Sequence, residues 1–141
     1  LVEFLQHNWY WATLAGISGS FLLLDLVRGQ SDKSRLSPVE ATLLINREDA
    51  LVIDIRPQGE YAQGHIPNAR NIPLGELERR LGELDKLKSR PVIVCCASGT
   101  RSGSALQTLR KAGFDKAVNL RGGIFEWEKA GYPVSRKGKS R

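Results

Sequence analysis

Methionine is absent from the chain, even at position 1, so Leu1 is expected not to be the translation start. Cysteine is nearly absent: Cys95 and Cys96 are the whole supply, and they are adjacent. That excludes a disulfide framework. Neighbours on a strand point to opposite faces and a vicinal bridge is strained, so both thiols suit a reducing compartment. Histidine occurs only at His7 and His65. One histidine beside two adjacent cysteines has no ligand spacing for zinc, so no metal is expected. No glycine-rich loop of the phosphate- or dinucleotide-binding kind is present, and no cofactor is expected. Aromatic residues make up 7% and do not interleave with the basic ones. A base-stacking platform is therefore missing, which argues against a nucleic-acid partner. No internal repeat is visible, and the length suits one domain of ordinary size.

Charge of either sign is missing from Phe4 to Leu24. As a helix this stretch would run roughly 30 Å, about one hydrocarbon core. Residues 1–28 are accordingly expected to form a transmembrane anchor. Trp9, Tyr10 and Trp11 would supply an aromatic belt at one end, with Arg28, Lys33 and Arg35 beyond the other. Every Lys and Arg lies at or after Arg28. The positive-inside rule then puts the amino terminus outside and the main domain in the cytoplasm. A cleaved signal peptide would need a basic leading region, and none precedes Arg28. Ala12, Gly16 and Ser20 share one helical stripe. They are either a docking face for a partner membrane helix or a second copy, or the small residues any spanning helix carries.

After a polar linker (29–35), residues 36–135 read as the globular domain and 136–141 as a basic tail without fixed structure. Ser37-Pro38-Val39-Glu40 is a helix start with a capping box. Ala50 to Ile55 forms a continuous apolar strand, suited to a sheet covered on both faces. Glu60 to Gln63 makes one helical turn, and Leu74, Leu77, Leu81 and Leu84 keep a helical period. Val92 to Cys95 is a buried strand, followed by a loop and a helix with Ala105, Leu106 and Leu109 on one face. Ala117 to Leu120 is another strand, and Gly122-Gly123 opens a last helix with Phe125, Trp127 and Ala130. Alternating strands and helices predict an α/β domain with a mainly parallel sheet. The net charge of +6 favours anionic ligands.

Ligands gather beyond the carboxyl ends of the strands in such sheets. That brings Asp54, Arg56 and Cys96 to one edge. Cys96 stands where loop amides of Ala97, Ser98, Gly99 and Thr100 and a helix amino terminus would stabilise a thiolate, with hydroxyls of Ser98, Thr100 and Ser102 nearby. The alternative is a small buried cysteine, which is the expectation for Cys95. Arg101 either grips an anionic substrate or ties the loop to a carboxylate. Asp54 and Arg56 are expected to form a structural ion pair with Glu60 in the same network. His65 could couple to the cysteine, but its turn favours bonds to backbone carbonyls.

Several ordered blocks resemble the rhodanese-like domain. They are Asp54-Ile55-Arg56, Glu60 through Ala69, Asn71-Ile72-Pro73, Cys96 through Ser102, Leu120-Arg121-Gly122-Gly123 with Trp127, and Ala130 through Val134. With the expected anchor, the chain is similar to the small membrane-bound rhodaneses of the bacterial inner membrane. The resemblance implies a five-stranded parallel sheet flanked by helices, preceded here by one transmembrane helix. It implies sulfur transfer from thiosulfate or a similar anion to a thiol or cyanide through a persulfide on Cys96, with Arg101 holding the anion. Four residues separate Cys96 from Arg101, the sulfurtransferase spacing; the related phosphatases have five, which Cys95 would supply. Asn68 stands where the family often has glycine, which a turn tolerates. Members also serve as docking modules, so binding a partner membrane protein with little turnover is the alternative.

Overall fold

A computed structural model describes residues 1–30 and 33–136. The part of the expected linker at 31–32, and the expected tail from 137 on, lie outside the described residues. The chain divides into two compact units, Leu1–Lys33 and Ser34–Arg141.

The first unit is helical: α1 (Val2–His7) and α2 (Trp9–Gln30). Between them the Asn8 side chain turns back to donate to the Phe4 carbonyl at 3.0 Å. Among the described residues no helix is long and apolar enough to cross a membrane. The expected transmembrane anchor is corrected on that finding, and the expected inner-membrane orientation loses the span it rested on. The physical reason lies in the small and polar residues. Thr13, Gly16, Ser18, Gly19 and Ser20 interrupt the apolar side chains, so no unbroken apolar run between Trp9 and Leu24 exceeds four residues. One member of the small-residue stripe is also used locally, since the Ser20 hydroxyl donates to the Gly16 carbonyl at 2.8 Å.

The second unit runs β1 (Arg35–Leu36), α3 (Pro38–Glu48), β2 (Leu51–Asp54), α4 (Gln58–Gln63), β3 (Arg70–Asn71), a 3-10 turn, α5 (Leu77–Arg80), a second 3-10 segment, β4 (Val92–Cys95), α6 (Ser102–Lys111), β5 (Ala117–Leu120) and α7 (Gly123–Lys129). All neighbours in the five-stranded sheet are parallel, in the order β1-β5-β4-β2-β3. The expected α/β fold is therefore present. Helix α3 starts as its sequence dictates: the Ser37 hydroxyl accepts from the Glu40 amide at 3.3 Å, with Pro38 in the first turn.

The central strands β2 and β4 are buried along their whole length. Because successive side chains alternate, Leu51, Ile53, Val92, Val94 and Cys96 enter one core, with Leu106 and Leu109. Val52, Ile93 and Cys95 enter the other, with Leu120, Ile124 and Trp127. Two expectations change. The helical run from Leu74 breaks into a four-residue helix between 3-10 segments, which still buries Leu77 and Leu84. The last helix ends at Lys129, one residue short of the expected Ala130; it buries Trp127 and leaves Phe125 64% exposed. Asn68 has φ +64°, a conformation that glycine and asparagine adopt most readily.

Candidate active site

Strand β4 ends at Cys95, and its register aligns Asp54 of β2 with Cys95. The next residue, Cys96, begins a loop that returns at Arg101 into α6. Gly99 makes the return possible. Its φ of +88° turns its amide back onto the Cys96 sulfur, 2.8 Å away, and a Cβ there would press on the Gly122 nitrogen at 3.1 Å. The Ser102 hydroxyl lies 3.6 Å from the same sulfur, and the backbone amides of Arg101 and Ser102 add to the field that favours its charged form. The loop's other side hangs on α7. Ile124 donates its amide to the Cys96 carbonyl at 2.9 Å, and Phe125 donates to that of Ala97 at 3.2 Å. Gly123 permits this approach: φ is +58°, and a Cβ would collide with the Cys96 and Ala97 carbonyls.

Burial alone would raise the Cys96 thiol. The Ser102 hydroxyl and the amides of Arg101, Gly99 and Ser102 outweigh it, and the thiol lies below its usual value. Donors to sulfur differ from those expected. Ala97, Ser98 and Thr100 supply no recorded donor to it. The Ser98 and Thr100 hydroxyls lie exposed and bond to each other at 3.2 Å.

Asp54 and Arg56 form a buried ion pair, with Nη2 of Arg56 2.7 Å from Asp54 Oδ2 and its Nε 3.0 Å from Oδ1. The same Nη2 donates to the Gly64 carbonyl at 2.6 Å. This arginine is a fixed strut between β2 and the turn after α4. Glu60 is not bonded to that pair. It meets Arg101 at 3.4 Å, with both side chains about half exposed. Of the two expectations for Arg101, tying the loop to a carboxylate is the contact present. His65 bonds the Tyr61 carbonyl through Nδ1 at 2.8 Å and stacks on the Tyr61 ring. No bond between His65 and Cys96 is recorded, so a Cys–His couple has no support.

Three side chains at the site carried no role in the sequence reading. Asn71 donates to the carbonyls of Asp54 (3.1 Å) and Arg56 (2.8 Å), fixing the end of β2. Asn119 of β5 is buried and lies 2.6 Å from the Ser102 hydroxyl. A polar residue inside the apolar run Ala117 to Leu120 was the available signal. Glu128 joins Arg56, Glu60, Ala97, Ser98 and Phe125 around a cavity of about 450 Å³ beside the loop. A cysteine sulfur that accepts from a backbone amide, in a loop beside an open cavity at the carboxyl edge of the sheet, has the surroundings that nucleophilic chemistry uses.

Comparison with known proteins identifies the domain. Residues 37–130 match the family described as the Rhodanese-like domain. A sulfurtransferase of Allochromatium vinosum is 41% identical over 91 residues, covering 64% of this chain and 83% of that protein. The uncharacterized protein YibN of Escherichia coli is 39% identical over 98 residues, covering 69% of this chain and 68% of YibN. The crystal structure of a rhodanese-related protein from Thermoplasma volcanium superposes with a TM-score of 0.65 at 32% identity, over 73% of this chain and 98% of that one.

Proposed function

The chain belongs to the rhodanese-like domain family, and from that premise we propose that it is a sulfurtransferase working through a persulfide on Cys96. The observation that carries the reading is the Gly99 amide donating to the Cys96 sulfur at 2.8 Å, with the Ser102 hydroxyl beside it at 3.6 Å. The thiolate attacks the outer, sulfane sulfur of thiosulfate or a similar donor. The new bond joins Cys96 sulfur to that sulfane sulfur; the donor's S–S bond breaks, and sulfite leaves with the bonding pair. Charge is conserved, since a thiolate and a dianion become a persulfide anion and a dianion. In the second half a thiolate or cyanide attacks the outer sulfur, and Cys96 leaves as the thiolate it was. Arg101, swung from Glu60, neutralises part of the donor's charge.

Incubation with thiosulfate is expected to add one sulfur atom to the protein, located on Cys96 by fragmentation between the adjacent cysteines. Cyanide is expected to release it as thiocyanate. An unmodified wild type, or equal thiocyanate from Cys96→Ser, would end this reading.

A second reading is a docking module with little turnover. It is favoured by the complete burial of Cys96 and by the engagement of Arg101 with Glu60. Its partner protein would meet the chain through Ala12, Gly16 and Ser20. Crosslinking of the full chain decides: partner loss in Gly16→Leu but not in Cys96→Ser is the outcome this reading requires.

A further inference from the structure

Behind the loop, a buried amide faces the one hydroxyl that reaches the nucleophile. Ser102 Oγ has a single proton and three acceptors within reach. These are Asn119 Oδ1 at 2.6 Å, the Gly99 carbonyl at 2.8 Å and the Cys96 sulfur at 3.6 Å. The other end of the Asn119 amide, Nδ2, points at the Gly99 carbonyl, 3.4 Å away. Asn119 thus touches both Ser102 and Gly99, whose hydroxyl and amide are the donors nearest the sulfur, while itself standing on the neighbouring strand β5. We infer that Asn119 is a positioning residue of the sulfur site: its amide decides whether the Ser102 proton faces Asn119 or the Cys96 sulfur.

Turning the amide over loses the long Nδ2 bond to Gly99 and sets Oδ1 against the Gly99 carbonyl, so the turned form needs an anionic sulfur to offset it. Turned, Nδ2 donates to Ser102 Oγ, and the hydroxyl proton is left to the Gly99 carbonyl or the Cys96 sulfur, of which an anionic sulfur is the stronger acceptor. A neutral thiol needs no such donor, whereas a thiolate or persulfide anion gains a charge-assisted one. An amide is the group that can do both, having a donor and an acceptor on one planar head; a carboxylate could only accept. The other polar groups around the loop are already committed. Arg101 is paired with Glu60, Arg56 with Asp54, the Cys95 thiol lies on the opposite face, and α7 contributes backbone amides to carbonyls.

The inference rests on Cys96 as the sulfur-carrying nucleophile, and its test reads the thiol without requiring turnover. The full chain is alkylated with iodoacetamide across a pH series, with the label assigned to Cys96 by fragmentation. In Asn119→Leu the midpoint is expected to move up by about one pH unit, a roughly tenfold slower reaction below both midpoints. Ser102→Ala should do the same, and Asn119→Leu combined with Ser102→Ala should add nothing further. Asn119→Asp, an isostere that claims the Ser102 proton, should shift the midpoint at least as far. A wild-type midpoint in either folded Asn119 variant overturns the inference, as do additive shifts in the double variant. Should Asn119→Leu lose the cooperative thermal transition, Asn119→Asp decides by the same criterion. Sulfur uptake from thiosulfate by the wild type is measured in parallel; its failure would count against the sulfurtransferase reading and leave the alkylation result intact.

Discussion

Cys95 and Cys96 are covalent neighbours, both fully buried, and their surroundings are opposite. Strand alternation sends Cys95 into the core with Val52, Ile93 and Leu120, and Cys96 into the core with Val94 and Leu106. Around Cys95 burial raises the thiol strongly, Asp54 raises it further, and Arg56 only partly compensates. The Cys95 thiol donates to the Cys96 carbonyl, at 3.5 Å. Around Cys96 burial acts in the same direction but loses to hydrogen bonds. Burial therefore does not separate the raised thiol from the lowered one. Directed donors do, and they exist because the chain turns at Gly99 immediately after the strand ends.

The sharpest way to break this contrast is at the loop's support. Gly123→Ala should destabilise the domain by about 3 kcal/mol, because a Cβ at positive φ meets two carbonyls that cannot retreat. Denaturant midpoints measure it, and a loss below about 1 kcal/mol would show that α7 yields. Next in size is Cys95→Ala, expected to cost about 1–2 kcal/mol of stability for the small cavity. Sulfur loading of Cys96 should survive it; its loss would mean that Cys95 contributes to the chemistry.

The two thiols should also tilt stability with pH in opposite senses. The folded Cys96 releases its proton at lower pH than the unfolded chain does. Its contribution is therefore present above the usual thiol range of about 8.5 and lost as pH falls through its own lowered value. Cys95 keeps its proton where the unfolded chain has released it. Its contribution is full below that range and declines as pH rises beyond it. Cys95→Ala should flatten the alkaline decline, and Cys96→Ser the change on the acid side, in thermal melts across pH. The smallest effect belongs to Glu60→Gln. The exposed pair it breaks is worth less than about 1 kcal/mol, so stability should hardly move. Freed, Arg101 should speed persulfide formation from thiosulfate by about twofold at low salt, measured by stopped mass analysis.

Local rules carried much of the domain. Ser37-Pro38-Val39-Glu40 read as a helix start because a cap involves residues three apart, and Ala50 to Ile55 read as a covered strand because the run is apolar without alternation. Cys95 read as a packing residue and Asp54 with Arg56 as a pair because each follows from neighbours in sequence. Contacts across long separations were not legible. Glu60 and Arg101 are 41 positions apart, and Ser102 and Asn119 are 17 apart. The short strands Arg35–Leu36 and Arg70–Asn71 have too few residues to show a period, and only their pairing with β5 and β2 defines them.

Neighbours along the chain are enough to set the order of elements, the placing of Cys96 at a strand end, and the loop length to Arg101. Which donors reach the sulfur depends on contacts between distant segments. Asn119 of β5 bonds Ser102 and Gly99, the amino end of α7 bonds the Cys96 and Ala97 carbonyls, and β5 is brought to the loop by parallel pairing with β4, not by sequence proximity. Hydrogen bonds weaken steeply within a fraction of an ångström, so composition could nominate Ser98, Thr100 and Ser102 alike, while the fold placed Ser102 alone among those hydroxyls beside the thiol.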